Sequence, residues 1–577
     1  MLNRRSYFDT IERSSRSITK NKEKNSLNSL ETQVLACTCN GTVQEVEPEG
    51  LPSYAKLVHQ DDALCRRGMP RFLEKIRAAD SAGAPVLITC TQESSLFRQS
   101  APASAEIKFI NTREHAGWGQ ESKLAQPKIA ALIASAAAAL NPQLPAVGYH
   151  SSGRALVIAD NNLMQARLWV KRLQEASNGT LQLSLLWLGV NSHEDQSLAS
   201  SHIELPKQHV ELSGSKLTLQ GWLGAFSANW IQSNPIDLEA CVSCGACVSA
   251  CPEKAISTDF QISLDLCRGH RSCVSACGTA GAIDFQRLST GRSAQFDSVL
   301  DFRNASAFER DAPQGYFWGG LDAQTQTSQA MQLLGTVGEF EKPKYFDYKS
   351  KICAHGRNEK QACNRCIDAC STGAIQSKGD QVSIEPHLCM GCGACATTCP
   401  TGAMRFQAPD SAEMGRRLRT VLSTYRKLGG KNAAILFYDR RHGNPPFEVY
   451  APVGKATLSF KGLPARVLPV EVEHCASIGL ELLLAAKAYG GSQVFVLQGL
   501  GFDAGYTQVL TDQIAYGNEI VTGLGLGLGL SLDSECAHFS LLDGSSARKF
   551  EAELWAATAL KPASVVAQPG SFELPKD

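Results

Sequence analysis

Apolar and polar positions alternate in blocks along this chain, on both sides of a cysteine-rich centre. In the first block, three short continuous apolar runs predict buried parallel strands, at 85–90, 154–159 and 181–188. A helix is predicted at 162–176, where Asn162 is a suitable cap. The second block repeats the pattern, with helices predicted at 412–427 and 478–489 and strands at 433–437, 465–472 and 493–497. Strands that alternate with helices are typical of α/β domains.

The length and the charge balance limit the possible classes of protein. A chain of 577 residues is too long for one hydrophobic core and predicts several domains. Lysine plus arginine equal aspartate plus glutamate at 56 each, so the basic excess of a nucleic-acid-binding protein is absent. The longest apolar run, 129–140, is rich in alanine and shorter than the ~18 residues of a membrane span. We expect neither nucleic-acid binding nor a membrane span.

The N-terminal segment 1–31 is basic and polar, and we predict that it is a disordered tail. Arg4 and Arg5 resemble a twin-arginine export signal, but the apolar stretch that such a signal needs does not follow. The 21 cysteines are grouped at spacings that suit metal ligands, which indicates reduced thiolates in a reducing compartment. We therefore expect a cytoplasmic protein.

Two cysteine runs have the spacing C-x2-C-x2-C-x3-C-P, which is typical of ferredoxin segments that bind cuboidal iron–sulfur clusters. They are Cys241, Cys244, Cys247 and Cys251, and then Cys389, Cys392, Cys395 and Cys399. In such runs the fourth cysteine ligates a neighbouring cluster, so each run needs a partner run. A zinc site is disfavoured, because zinc sites use two separated cysteine pairs.

Each run has a less regular partner. The partners are Cys267, His270, Cys273 and Cys277, and then Cys353, Cys363, Cys366 and Cys370. Fifteen cysteines and one histidine would supply the ligands of four 4Fe–4S clusters. As a neutral ligand, His270 would raise the reduction potential of its cluster. As a bystander, it would leave three cysteines, which suit a 3Fe–4S cluster or no stable cluster, so three to four clusters are expected.

A small residue and an apolar residue follow the last cysteine of each run. These pairs are Ala255–Ile256, Ala282–Ile283, Ala374–Ile375 and Ala403–Met404. A small residue beside an apolar one suits close packing against a cluster. The histidine-bearing run has its pair one position later than Ala255–Ile256, so it is irregular in length as well as in its ligand.

Segments 237–286 and 349–407 resemble two bacterial-type dicluster ferredoxin domains, and the layout resembles polyferredoxin-like proteins encoded with formate dehydrogenases. In that family the fourth cysteine of each run ligates the cluster of its partner run, which we call the crossing rule. By this rule, one cluster is bound by Cys241, Cys244, Cys247 and Cys277. Its partner is bound by Cys251, Cys267 and Cys273, with His270 as the open position. The sets of the second domain are Cys353, Cys363, Cys366 and Cys399, and then Cys370, Cys389, Cys392 and Cys395.

Four further cysteines lie in the N-terminal region: Cys37, Cys39, Cys65 and Cys90. At least three of them follow apolar runs, and ligands gather at the carboxyl ends of strands in open α/β sheets. They form a candidate additional metal or cluster site. The alternatives are small buried hydrophobic side chains or a redox pair, since cysteine is common in protein cores.

The sequence thus predicts an α/β plus α+β protein in which α/β domains flank two dicluster ferredoxin-like domains. The predicted segments are a tail at 1–31, an α/β domain at 32–230, a ferredoxin domain at 231–290, a linker at 291–345, a second ferredoxin domain at 346–408 and an α/β domain at 409–577. We expect an iron–sulfur protein that relays single electrons between cytoplasmic redox partners, with a formate dehydrogenase as a candidate partner.

Two alternatives stay open. One is an oxidoreductase subunit with a flavin or nicotinamide site in an α/β domain, where Gly499, Gly501 and Gly505 resemble a dinucleotide loop that is one residue too long. The other is an accessory or maturation factor for a metallo-oxidoreductase. No nucleophile–base set is evident, so no catalytic residue is predicted, and a carrier or a subunit is favoured over a stand-alone enzyme.

Overall fold

The computed structural model divides the chain into two compact units. It describes residues 31–138, 144–160, 163–188, 210–232, 234–238, 240–256, 260–262, 266–287, 291–320, 322–356, 362–441, 443–457, 460–499, 501–527, 538–560 and 569–575. In this part of the chain, the first unit comprises Ala146–Pro343 and Glu385–Met390. The second unit comprises the residues up to Pro145, Lys344–Ile384 and the residues from Gly391 onward. The tail predicted at 1–31 lies almost entirely outside the described residues.

The N-terminal domain of the second unit contains a four-stranded parallel sheet of order β2-β1-β3-β4. Its strands are β1 (Thr32–Cys37), β2 (Ala55–Asp61), β3 (Val86–Ile88) and β4 (Ile107–Phe109). Its helices are α1 (Met69–Ala82), α2 (Ser94–Ser100) and α3 (Gln126–Ala138). Apolar side chains pack on both faces of the sheet, which explains why its central strands are continuous apolar runs. The alanine-rich run that begins at residue 129 lies in α3 as far as Ala138, and most of its side chains are buried.

The first unit is built around a seven-stranded mixed sheet of order β10-β9-β8-β7-β6-β11-β12. Up to the first cluster domain, the elements are β5 (Ala146–Ser151), β6 (Arg154–Ala159), α4 (Leu163–Ala176), β7 (Gln182–Trp187), β8 (Val210–Gln220) and β9 (Phe226–Gln232). The cluster domain carries two short helices, α5 (Ala246–Ala250) and α6 (Ser272–Cys277). The elements after it are β10 (Gly291–Phe296), β11 (Ser298–Asp301), β12 (Tyr316–Trp318), α7 (Ala323–Leu334) and β13 (Gly338–Pro343). Strand β13 pairs with β5.

The structure differs here from the domain boundaries predicted from the sequence. Segment 32–230 contributes to three separate sheets, and segment 291–345, predicted as a linker, supplies β10, β11, β12 and β13. Strand β10 pairs antiparallel with β9, so the first cluster domain is an insertion between neighbouring strands. The linker strands are short, and their buried residues, such as Val299, Leu300 and Phe317, are separated by polar stretches. That spacing hides their periodicity in the sequence.

The second cluster domain contains two small antiparallel ribbons and two short helices. Its elements are β14 (Phe346–Tyr348), α8 (Arg365–Ala369), β15 (Ile375–Lys378), β16 (Gln381–Ile384), α9 (Ala394–Thr397) and β17 (Met404–Phe406). Strand β14 pairs with β17, and β15 pairs with β16. The first and last strands of this domain therefore lie side by side.

The C-terminal domain repeats the topology of the N-terminal sheet. Its elements are α10 (Ser411–Lys427), β18 (Ala434–Tyr438), α11 (Pro446–Val449), α12 (Ala451–Thr457), β19 (Val467–Glu471), α13 (Leu480–Ala488), β20 (Gln493–Gln498), α14 (Ala504–Gly527), β21 (Phe539–Asp543) and α15 (Ala547–Ala559). All strands are parallel in the order β19-β18-β20-β21. In both domains the sheet order is second, first, third and fourth strand.

The strands and helices predicted from apolar runs in both blocks are confirmed, with ends that shift by one or two residues. The proposed cap Asn162 lies outside the described residues. None of the helices in the described part of the chain is long and apolar enough to cross a membrane.

One hydrophobic core joins three parts of the second unit. It contains Ala131 of α3, Ala369 of α8, Ala394 of α9 and a large set of side chains from the C-terminal domain. Helix α3 packs along α10. The second cluster domain is therefore packed against an α/β domain within this unit.

Candidate iron–sulfur centres

The first cysteine set of the first cluster domain surrounds one small cavity. The cysteines that line it are Cys241, Cys244, Cys247 and Cys277. Three of them belong to the regular run, and Cys277 comes from the end of α6, at the far end of the partner run. The Cys241 thiol lies within electrostatic range of Cys277 and Cys244, and burial raises the pKa of this thiol. This is the grouping that the crossing rule predicts.

The remaining cysteines of this domain form a second group. The Cys273 thiol lies within electrostatic range of Cys251 and Cys267. The His270 side chain is 46% exposed, and its Nε2 atom lies 3.8 Å from Oε1 of Glu253. A role for His270 as a ligand stays a prediction.

The second cluster domain shows the same crossing in one of its sets. The Cys366 thiol lies within electrostatic range of Cys399, Cys353 and Cys363. Burial, with these thiols as the next cause, raises the pKa of Cys366 to about 12. Cys353 therefore joins this group although nine residues, 354–362, separate it from Cys363. The insertion therefore does not prevent the first cysteine of this half-motif from joining the other three.

The last set is divided between the two units. Cys370, Cys392 and Cys395 belong to the second unit, and Cys389 lies in segment Glu385–Met390 of the first. Within the first unit, Lys342 Nζ donates hydrogen bonds to the carbonyls of His387 (2.7 Å) and Cys389 (2.8 Å). The ring of His387 stacks on Trp222 at 5.0 Å. The assignment of these four cysteines to one cluster stays a prediction.

Backbone N–H groups point at several of the candidate ligand sulfurs. The N–H of Ala255 donates to Cys251 Sγ at 3.3 Å, that of Ala282 to Cys277 Sγ at 3.2 Å and that of Met404 to Cys399 Sγ at 3.4 Å. Although burial opposes the effect, the N–H groups around Met404 lower the pKa of Cys399. Hydrogen bonds to ligand sulfurs help to set the reduction potential of a cluster.

These three donors belong to the pairs of small and apolar residues that follow the runs. The alanines are almost completely buried, with Ala255, Ala282 and Ala403 each 1% exposed. Close packing was predicted from the sequence, but the N–H···S hydrogen bonds were not. The sequence feature that could have indicated these hydrogen bonds is the short distance, four or five residues, between the last cysteine and the residue that donates.

The four N-terminal cysteines also lie together. The Cys37 thiol is within electrostatic range of Cys39 and Cys65, and the Cys90 thiol is within range of Cys37 and Cys65. Burial raises the pKa of Cys90 to about 11. Within the described ranges, no group of three or more His, Cys, Asp or Glu side chains is arranged to hold a single metal ion. The cysteines of the ferredoxin domains are not arranged in that way either.

Comparison with known proteins places the two cluster domains in a family. The profile of the 4Fe-4S dicluster domain matches residues 361–403, and the profile of the 4Fe-4S binding domain matches residues 235–257. The chain thus contains two 4Fe–4S ferredoxin-type domains, as predicted. The half-motif with His270 and the displaced Cys353 lie outside the matched residues.

Three curated relatives illustrate the similarity. A tetrathionate reductase subunit of Archaeoglobus fulgidus is 24% identical over 151 residues, which are 26% of this chain and 48% of the relative. A ferredoxin of Pyrobaculum islandicum is 41% identical over 46 residues, which are 7% of this chain and 43% of the relative. An uncharacterized ferredoxin of Methanocaldococcus jannaschii is 35% identical over 46 residues, which are 8% of this chain and 74% of the relative.

Through these segments the chain belongs to the ferredoxins of the 4Fe–4S type. It spans about half the length of the first two of these relatives. The prediction of 4Fe–4S clusters is confirmed, and the similarity of the two domains to ferredoxins supports the expected iron–sulfur electron transfer.

Proposed function

We propose that this protein relays single electrons between cytoplasmic redox proteins and that a formate dehydrogenase is one of them. The observation that carries the relay is the shared cavity of Cys241, Cys244, Cys247 and Cys277. Cys277 and Cys251 are each grouped with the cysteines of the other run. Each of the two runs in this domain would therefore supply ligands to both clusters. Two clusters held in this way would supply neighbouring one-electron redox centres.

Two observations support the choice of partners. One relative is part of a reductase, which supports a role beside a metallo-oxidoreductase for this chain as well. The layout, with two ferredoxin domains between larger segments, resembles polyferredoxin-like proteins encoded with formate dehydrogenases. The resemblance is the basis for proposing formate as the electron source.

The relay is tested with anaerobically purified protein. Iron and acid-labile sulfide are measured, and paramagnetic resonance is recorded during graded reduction to count the clusters and order their potentials. Formate and a formate dehydrogenase are then added, and we expect the cluster absorbance to bleach. Protein without clusters is the control. Full reduction by dithionite without any reduction by the formate system would contradict the proposed partner and leave the relay standing.

A second candidate function is favoured by a cavity in the second unit. A cavity of about 520 Å³ is lined by Cys399, Arg365, Arg405 and Glu481, among other residues. This volume lies in the range of cofactor and small-molecule sites. Burial raises the pKa of Glu481. A flavin spectrum in the purified protein, or bleaching of the clusters by NADH or NADPH, would favour an oxidoreductase subunit with its substrate site beside Cys399.

A further inference from the structure

The N-terminal sheet directs cysteines from three neighbouring strands to one edge. Cys37 is the last residue of β1, and it is level with Asp61 at the end of β2. Leu35 of β1 pairs with Ile88 of β3. Cys37 and Cys90 each lie two residues beyond this pair, so they are at the same level along the sheet. All three strands are parallel, and their carboxyl ends therefore open at the same edge. This is the edge at which open α/β sheets bind ligands.

The loops after these strands bring the thiols together. Cys39 follows β1 in a left-handed turn, with φ values of 51° at Cys39 and 56° at Asn40. Cys65 follows β2, and its side chain packs with those of Cys37 and Cys90 in one apolar cluster. Every one of the four cysteines is partly exposed and outside any disulfide. The site is thus apolar on one side and open on the other.

Hydrogen-bond donors and one cation face the sulfurs. The Cys39 N–H lies 3.4 Å from Cys37 Sγ, and the Leu64 N–H also donates to Cys37. The Glu93 N–H donates to Cys90. The Arg113 guanidinium lies 3.9 Å from Cys39 Sγ and is fixed by an ion pair with Glu114. N–H donors and a nearby positive charge stabilise a group of thiolates that is otherwise strongly negative.

We propose that Cys37, Cys39, Cys65 and Cys90 bind an iron–sulfur cluster separate from those of the ferredoxin domains. Four cysteines are the usual ligand set of both 2Fe–2S and 4Fe–4S clusters, and the N–H···S contacts repeat those of the ferredoxin cysteines. The cluster would add one redox centre to the proposed relay. Its role in electron transfer rests on that proposed function, but its presence does not.

The C-terminal domain provides an internal comparison. Its sheet has the same strand order, but the segments after its first three strands carry Asp439, Cys475 and Gly499. Cys475 is fully buried. The same architecture therefore occurs once with four convergent cysteines and once with Cys475 alone in the described segments that follow its first three strands. The four cysteines are thus an addition to the fold and are not required by it.

The test uses the full chain, purified without oxygen and reconstituted with iron and sulfide. The double variant Cys39→Ser/Cys90→Ser is compared with Cys536→Ser, which removes a cysteine outside all the proposed sets. We expect the double variant to lose the iron and sulfide of one cluster and one signal in paramagnetic resonance. The ferredoxin signals should remain, and Cys536→Ser should match the wild type. Circular dichroism checks folding, and the single variant Cys39→Ser replaces the double variant if that one does not fold.

Three results would overturn the proposal. The first is an unchanged iron and sulfide content in the cysteine variants. The second is zinc in the wild-type protein that the double variant loses. The third is a disulfide among these cysteines, detected by mass spectrometry after alkylation of the anaerobic protein. Each of these is independent of electron transfer, so a failure of the proposed relay leaves the outcome of this test unaffected.

Discussion

Thr397 Oγ1 donates a hydrogen bond of 2.7 Å to the backbone carbonyl of Ala476. Thr397 ends α9, which carries Cys395, and Ala476 lies in the turn after β19 of the C-terminal domain. Ala476 is fully buried, so its carbonyl depends on a protein donor. This contact fixes the second cluster domain on an α/β domain within the same unit.

Removal of this hydroxyl should weaken that attachment. We expect Thr397→Val, which keeps the shape of the side chain, to lower the free energy of unfolding by about 1 kcal/mol, because the buried carbonyl loses its donor. The shift of the urea midpoint measures the effect. Thr397→Ser keeps the hydroxyl and is the control. Equal midpoints for the valine and serine variants would show that the hydrogen bond contributes nothing.

The two cluster domains offer a matched pair of glycines for a second prediction. Gly245 and Gly393 occupy the same position of the two regular runs, with φ values of 72° and 77°. A Cβ atom at Gly393 would lie 2.5 Å from Ser477 Cβ, whereas a Cβ atom at Gly245 would have no neighbour within 4 Å. Both alanine variants should lose about 1 kcal/mol from backbone strain.

Only Gly393→Ala should carry the further cost of overpacking, on the order of 1–3 kcal/mol. Thermal unfolding and iron content of Gly393→Ala and Gly245→Ala check this difference. We expect the Gly393 variant to unfold at the lower temperature and to retain less iron. If the Gly245 variant is affected as strongly, close packing against Ser477 is not the cause.

A buried lysine gives a prediction on pH dependence. Lys128 is fully buried, and its Nζ donates to the carbonyls of His115 (3.0 Å) and Pro464 (2.8 Å). Burial lowers its pKa from 10.5 to about 7, and Glu121 opposes the shift only partly. Between these two values the unfolded chain binds more protons than the folded one, so stability rises with pH.

From pH 7 to pH 8.5 this rise should reach about 1.5 kcal/mol in the wild type. Lys128→Met lacks the titrating group, so its stability should gain less over the same range. Urea unfolding at both pH values measures the difference, and Lys123→Met, which removes an exposed lysine, should behave like the wild type. Parallel curves for the wild type and Lys128→Met would mean that Lys128 stays charged in the folded protein.

The cysteine spacing predicted more of the site than the apolar pattern predicted of the fold. The spacing of cysteines within one run is a local signal and identifies the run as a set of ligands. It does not show that Cys277 and Cys399 join the opposite sets; that expectation came from the family resemblance. The structure groups both thiols in this crossed way. The seven-stranded sheet depends on a pairing between Gly291 and Ile231 across the inserted cluster domain. A pairing over that distance leaves no periodic signal in the sequence.

The C-terminal glycine repeat shows a different limit. The alternation of glycine and leucine at 523–530 favours a strand or a loop, but α14 continues to Gly527. The helix is set by residues further upstream, where Tyr506 and Leu510 are buried in the core, and it extends through the start of the repeat. Tertiary packing here overrides the local pattern.

His270 allows a prediction that separates its two possible roles. His270→Cys supplies a thiolate at the position where the other runs have one, and added negative charge should lower the reduction potential of the cluster at Cys251, Cys267 and Cys273. A lowered potential with an unchanged iron content would indicate that the histidine is a ligand, and a gain of iron would indicate a 3Fe–4S cluster in the wild type. His270→Ala is the control, since it removes the imidazole without adding a thiolate. If neither the potential nor the iron content changes in His270→Cys, the position does not contact a cluster.

Cys277 and Cys251 provide the most direct test of the crossed ligand sets. Cys277→Ser should disturb the cluster of Cys241, Cys244 and Cys247, because the Cys277 thiol lines their cavity although it belongs to the other run. Cys251→Ser should disturb the cluster of Cys267 and Cys273, because the Cys251 thiol lies within electrostatic range of Cys273 although it belongs to the other run. Serine is a poorer ligand than cysteine for the iron of a cluster, so we expect each variant to lose or shift one signal in paramagnetic resonance. His270→Cys identifies which signal belongs to which cluster, because it alters only the cluster of Cys267 and Cys273. If Cys277→Ser changes the signal that His270→Cys changes, the ligands are not crossed and each run binds its own cluster.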